Sequence, residues 1–183
     1  VEHRSDLAGR TAIVLAGAAG GRVLSAARHT ARAGIASGLW ATQRDDYPVT
    51  VKTGHSIAVL VLDSEPIDDV ATVPDVVALL APEGVPRATD EASRMGPDGT
   101  LVALAGLPEI EHPGTTVRLD PADAPMRLAG TDLALAAAAA IVRMRNLFPV
   151  EALTASVAAA PRGAERMIEV VAAGAALGAP GSP

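Results

Sequence analysis

Thr11–Leu15, "TAIVL", is a short apolar run with β-branched residues that ends in the small-residue stretch "AGAAGG" and passes directly into "RVLSAARHTARAG". A strand that leads through a glycine turn into a helix is the opening unit of an α/β fold, and it needs further strands and helices to bury both faces of its sheet. In the helix, Arg22, Ser25, His29 and Arg32 share one face by their three- and four-residue spacing, while Val23, Ala27 and Ala31 share another. Gly34 is expected to cap its C-terminus.

The rest of the chain repeats the pattern. "ASGLWATQ" (36–43), "SIAVLVLD" (56–63), "DVVALLA" (75–81), "TLVALAG" (100–106) and "GTTVRLD" (114–120) read as strands, and Pro82 opens a helix towards Met95. Helical patterns then run from about Met126 to Asn146, from near Pro149, and from Gly163 to Ala176. The expected fold class is α/β, a mainly parallel sheet with helices on both faces. A chain of 183 residues holds one such domain, expected over residues 9–176, with an N-terminal extension (1–8) and a frayed tail (177–183). With one Trp, one Tyr and one Phe, its core must come from Ala, Val, Leu and Ile.

The chain has no Cys, which excludes disulfides, thiolate metal sites, cluster ligation and a Cys nucleophile. The most apolar run, "LALAAAAAIV" (133–142), is half the ~20 residues that span a bilayer, and the N-terminus has no signal-peptide core, so a cytoplasmic protein is expected. Residue 1 is Val, which leaves open that the sequence is processed, trimmed or cut from a longer polypeptide. The net charge of −6 is uneven: through His55 there are seven Arg or Lys against four Asp or Glu, and beyond it eight against seventeen. A basic N-terminal portion suits an anionic ligand, and the acidic remainder argues against a nucleic-acid partner; unevenly signed solvated faces are the plainer reading.

Two segments are candidates for chemistry. The turn "AGAAGGRV" (16–23) can aim backbone N–H groups and a helix N-terminus at a phosphate, yet Arg22 stands where a dinucleotide fingerprint wants its third glycine, and Gln43 and Arg44 stand where a ribose-binding acid is expected. A dinucleotide site, another anion site and a structural turn all remain open. The stretch "TQRDDYPVTVKTGHS" (42–56) gathers Arg44, Asp45, Asp46, Tyr47, His55 and the chain's only Lys, Lys52, where an α/β crevice commonly forms. Ligand contact, subunit contact and plain solvation compete for it. No catalytic set assembles: His55 and Ser56 are strand neighbours that point apart, and His3, His29 and His112 lack metal-ligand spacing.

The segments "GRTAIVLAGAAGGRVLSAARHTARAG", "GLWATQRDDYPVTVKTGHSIAVLVLDSEPI", "DVVALLAPEG" and "LALAAAAAIVRMRNLFPVEALTASV" resemble, in order and spacing, the gamma subunit or domain of 2-oxoacid:acceptor oxidoreductases. The glycine turn of that family reads GxGGxG; Gly17 and Gly20 match it, while Ala19 and Arg22 replace glycines. Its loop has an aromatic, then Arg, Gly, Gly and Ser; Tyr47, Gly54 and Ser56 match, and Lys52 supplies only the charge. The resemblance implies a Rossmann-like three-layer subunit of a multi-subunit enzyme that oxidatively decarboxylates a 2-oxoacid, commonly to an acyl-coenzyme A. It implies thiamine diphosphate and iron–sulfur clusters in partner subunits, ferredoxin or another acceptor reached through the complex, and no catalytic residue in this chain. It also implies a possible coenzyme A contact through Gly17, Gly20, Arg22, Arg44, Tyr47, Lys52, Gly54 and Ser56. The alternative is a stand-alone Rossmann-type module that binds a nucleotide or another small molecule.

Overall fold

A computed structural model of the chain describes residues 4–46, 54–68 and 73–179. The elements follow the order β1 (Arg10–Ala18), α1 (Val23–Ala36), β2 (Trp40–Asp46), β3 (His55–Asp63), β4 (Val76–Leu79), α2 (Val85–Ala92), β5 (Thr100–Leu104), β6 (Thr115–Leu119), α3 (Leu133–Met144), α4 (Val150–Ala158) and α5 (Ala164–Leu177). Among the described residues six strands make one sheet in the order β2-β3-β1-β4-β5-β6. β1, β4, β5 and β6 are parallel, and β3 runs antiparallel to both β1 and β2. Five strands therefore share one direction, and only β3 opposes them.

Strand alternation sends side chains to two unequal layers. Ile13, Leu15, Leu60, Leu62, Val76 and Val102 pack against α1, α3, α4 and α5 on one face. Val14, Ala16, Ile57, Val77, Leu79 and Leu101 meet Ala88, Ala92 and Met95, on and just beyond α2, on the other. The alanine run of α3 is buried from Ala134 to Val142, as core rather than surface. Its partner is α5, which meets it nearly backbone to backbone: a Cβ on Gly174 would fall 2.2 Å from the Ala136 carbonyl oxygen, and one on Gly178 would fall 2.5 Å from that of Ala140.

Several boundaries move from their expected positions. α1 continues through Gly34, which is buried against Leu62, and Gly38 (φ 89°) makes the turn into β2. Gly34 is thus a close-packing residue and not the cap. β2 starts at Trp40 and runs to Asp46, so Arg44, Asp45 and Asp46 are strand residues. The long helix begins at Leu133 rather than near Met126, because 121–132 form a 3-10 turn and a loop. At the N-terminus, the Ser5 N–H donates to the Ser37 carbonyl and its hydroxyl to the Leu147 carbonyl, tying residues before β1 across the ends of α1 and α3.

Candidate functional site

β1, β4 and β5 end side by side, and there the connections part: the chain leaves β1 through α1 towards one edge of the sheet and leaves β4 through α2 towards the other. Open α/β sheets form their crevice at such a point. Here it measures about 610 Å³, with Gly17, Ala18, Gly20 and Gly21 on one side, Leu80 and Pro82 at its centre, and Leu104, Leu107 and Pro121 opposite. Among the described residues no charged side chain lines it, and Thr131 supplies its only side-chain hydroxyl.

The first residues of α1 (Val23) and of α3 (Leu133, Ala134) also line the crevice, and neither helix has a side-chain cap. Asp132 stands at the N-cap of α3, but its Oδ2 instead accepts from the Ala129 N–H at 2.9 Å and the Arg166 guanidinium at 2.8 Å. Both helix ends thus bring unsatisfied N–H groups and the positive ends of their dipoles to the crevice wall.

The glycine turn is shaped by close approach. A Cβ on Gly17 would lie 2.8 Å from Val23 Cγ2, so a side chain there pushes α1 off the sheet. Because β3 runs antiparallel, its start returns to the end of β1: Gly17 pairs with Ser56, and the Gly54 carbonyl accepts from the Ala19 N–H. Gly54 takes φ 67°, a conformation that favours glycine. The structure thereby brings Gly17, Gly20, Gly54 and Ser56 together.

Arg22 begins α1 with φ 58°, the left-handed conformation that explains why a glycine suits this position. With Ser25, His29, Thr131 and Asp132 it lines a small neighbouring pocket of about 20 Å³. His29 is buried and its Nδ1 lies 3.2 Å from Ser156 Oγ, joining α1 to α4; burial, and then the Arg32 charge, lower its pKa. Arg44 lies elsewhere. It pairs with Val59 and is exposed on the face away from α1, since its neighbour Gln43 donates to the Leu24 carbonyl of α1. Tyr47 and Lys52 lie outside the described residues. At the end of β2 Asp46 pairs with Arg87 of α2 at 3.1 Å, and Arg87 and Arg94 flank the buried Glu91.

Sequence reasoning finds the glycine side of the crevice and misses the opposite wall. Leu104, Ala105 and Leu107, then Pro121, then Ala129, Gly130, Thr131, Leu133 and Ala134 come from three distant segments, and the glycine and proline content of 121–130 is the one sequence signal of a shaped loop there.

Against known proteins, the profile of the pyruvate ferredoxin/flavodoxin oxidoreductase family matches residues 12–182. No curated protein matches the sequence. Among solved structures, the chain superposes on the 2-oxoglutarate:ferredoxin oxidoreductase of Magnetococcus marinus, determined with 2-oxoglutarate, coenzyme A and succinyl-CoA bound, with a TM-score of 0.77 at 18% identity. That match covers 94% of this chain and 31% of the other, so this chain spans about a third of the length of that relative. It is also similar to the gamma subunit of a keto/oxoacid ferredoxin oxidoreductase from Geobacter sulfurreducens PCA (TM-score 0.68, 23% identity, 93% and 95% covered). The pyruvate oxidoreductase subunit PORC of Thermotoga maritima gives 0.67, 18%, 93% and 96%. Likenesses this distant share the fold; the profile, which spans the sheet, the crevice and all five helices, carries the assignment. The chain belongs to the pyruvate ferredoxin/flavodoxin oxidoreductase family.

Proposed function

We propose that this chain is the gamma-type component of a multi-subunit, thiamine-diphosphate-dependent 2-oxoacid:acceptor oxidoreductase, non-catalytic itself and in contact with coenzyme A. The observation that carries this reading is the match of nearly the whole chain to two separate subunits of such enzymes, together with the family profile over residues 12–182. Without Cys, the chain has no thiolate for an iron–sulfur cluster, and among the described residues no three His, Asp or Glu group together to hold a metal. In this reading the clusters and thiamine diphosphate belong to partner subunits, and ferredoxin or another acceptor takes the electrons from the complex. Its place of action is the cytoplasm.

The crevice suits part of a coenzyme A molecule. Its apolar walls fit the uncharged arm, and the uncapped starts of α1 and α3 are the groups to which phosphate oxygens bind. Gly17 and Gly20 keep the wall open, Gly54 and Ser56 brace it through β3, and Arg22, Tyr47 and Lys52 complete the proposed contact set, while Arg44, on the sheet face away from α1, stands apart from it.

Native mass spectrometry of the assembly from its source tests the first part, with partner chains carrying thiamine diphosphate and clusters expected; recovery as a lone monomer that binds NAD tightly refutes it. Ala105→Phe tests the second. Ala105 is exposed on the crevice wall, so the ring enters the crevice without disturbing the core. The apparent affinity of the complex for coenzyme A is expected to fall at least about tenfold, and an unchanged value removes the crevice from the contact.

A further inference from the structure

Away from the crevice, the exposed face of α1 and the C-terminal end of α3 both carry arginines. Arg28 and Arg32 stand one turn apart and exposed on α1, and Ile35 follows them at 57% exposure. Ser5 is bonded to both Ser37 and Leu147, which sets Arg4 between the end of α1 and the end of α3. Arg4 lines a 260 Å³ groove with Arg143, Asp6 and Glu151, and Arg145 is exposed at the α3 terminus. Gly34 lies close to Phe148, so the two helix ends are contiguous. None of these five arginines forms an ion pair with a described residue; the pairs among the described residues use Arg10, Arg87, Arg94, Arg118 and Arg166.

Five arginines against two carboxylates form a basic patch on a chain whose net charge is −6. Arg143 and Arg145 complement a helix C-terminus. Arg28 and Arg32 do not: they are like charges at i,i+4, an arrangement that weakens a helix unless something else neutralises it. We propose that this patch, centred on Arg28, Arg32 and Ile35, is a docking surface for a protein with an acidic face. The interspersed Asp6 and Glu151 and the exposed Ile35 give it the mixed polar and apolar character of a protein interface. A long nucleic acid would meet repulsion from the acidic remainder of the chain, and a membrane surface would offer Asp6 and Glu151 no partners.

Arginine footprinting with phenylglyoxal tests this on the assembly as purified from its source. Arg28, Arg32 and Arg143 are expected to be protected there, to react in the isolated chain, and to become reactive in the assembly at high salt, whereas the exposed Arg162 reacts in every state. Equal reactivity of Arg28 and Arg32 in the assembly and the isolated chain overturns the proposal, as does protection that nuclease or detergent removes. Arg28→Glu/Arg32→Glu is expected to slow association with the protected partner about tenfold or more at low salt and to flatten its salt dependence. Arg28→Gln/Arg32→Gln should fall between it and the wild type. Both sites are exposed, so the fold is expected to survive; unchanged association by both folded variants overturns the proposal. A protecting partner unrelated to 2-oxoacid chemistry would refute the proposed function and leave the docking surface standing.

Discussion

Replacing Gly174 with Ala sets helix propensity against packing in one measurement. The added methyl carbon would lie 2.2 Å from the Ala136 carbonyl oxygen and 2.6 Å from the Ala136 Cα. A close C···O contact settles near ~3.3 Å, so α3 and α5 must separate by roughly 1 Å at this point. Both obstacles are backbone atoms, which no rotamer change can move aside. Overpacking of this kind costs ~1–3 kcal/mol, and the rigid geometry places it at the upper end. Alanine in a helix interior returns ~1 kcal/mol relative to glycine. The net expectation is a loss of ~2 kcal/mol, which lowers Tm by about 4–8 °C in a domain of this size. Urea and thermal unfolding followed by far-ultraviolet circular dichroism measure it. If the variant matches or exceeds the wild type by the propensity gain, the helices are not in backbone contact and the packing argument fails.

Arg22→Gly relieves the left-handed strain at φ 58° and is expected to raise stability by ~1 kcal/mol, while weakening coenzyme A binding by the complex if the guanidinium contributes; a lower Tm would contradict the strain argument. His29 is buried with its pKa below the usual 6.5, so the unfolded chain takes up the proton first, and stability present above that value is lost as pH falls below it. His29→Gln should therefore flatten the fall in Tm between pH 7.5 and pH 5, and an equal fall in both proteins would refute this. Asp63, held below the usual carboxylate range by the Arg10 hydrogen bond at 2.9 Å and by the Glu65 N–H, stabilises the protein above its ordinary pKa and ceases to as pH drops below it. Asp63→Asn should lower the urea midpoint at pH 7 more than at pH 3, and the reverse order would show that the pair contributes nothing.

The alternation of strands and helices was legible because the four inner strands are apolar enough to be buried and the turns carry glycines or prolines, while the edge strands β2 and β6 are largely exposed. The antiparallel course of β3 was not, since "SIAVLVLD" is equally apolar whichever way it runs; pairing with β1, a tertiary event, decides its direction. Gly34 reads in sequence as a cap because a buried glycine in contact with Leu62 looks the same there as one that ends a helix. At the site, the local glycine turn could be read and the far wall could not. Leu107, Pro121 and Thr131 meet only once the sheet has formed. Adjacency in sequence places Arg44 with the loop, whereas strand alternation sends it to the opposite face from α1.

The alanine face of α3 has a mechanical consequence for the crevice. Alanine and glycine have no rotamers to exchange, so the seam between α3 and α5 has no soft internal coordinate through which it can deform. The two helices move as one body, and the start of α3 at Leu133 and Ala134 is a stationary jaw. Beside it on the same wall, the loop residues 105–107 and 121–126 are held by a few bonds such as Arg118 to the Leu107 carbonyl and Ala105 to Leu119, whereas Arg166 of α5 ties the Arg127 carbonyl to the rigid pair. A molecule entering this crevice meets a fixed helix start with loops beside it.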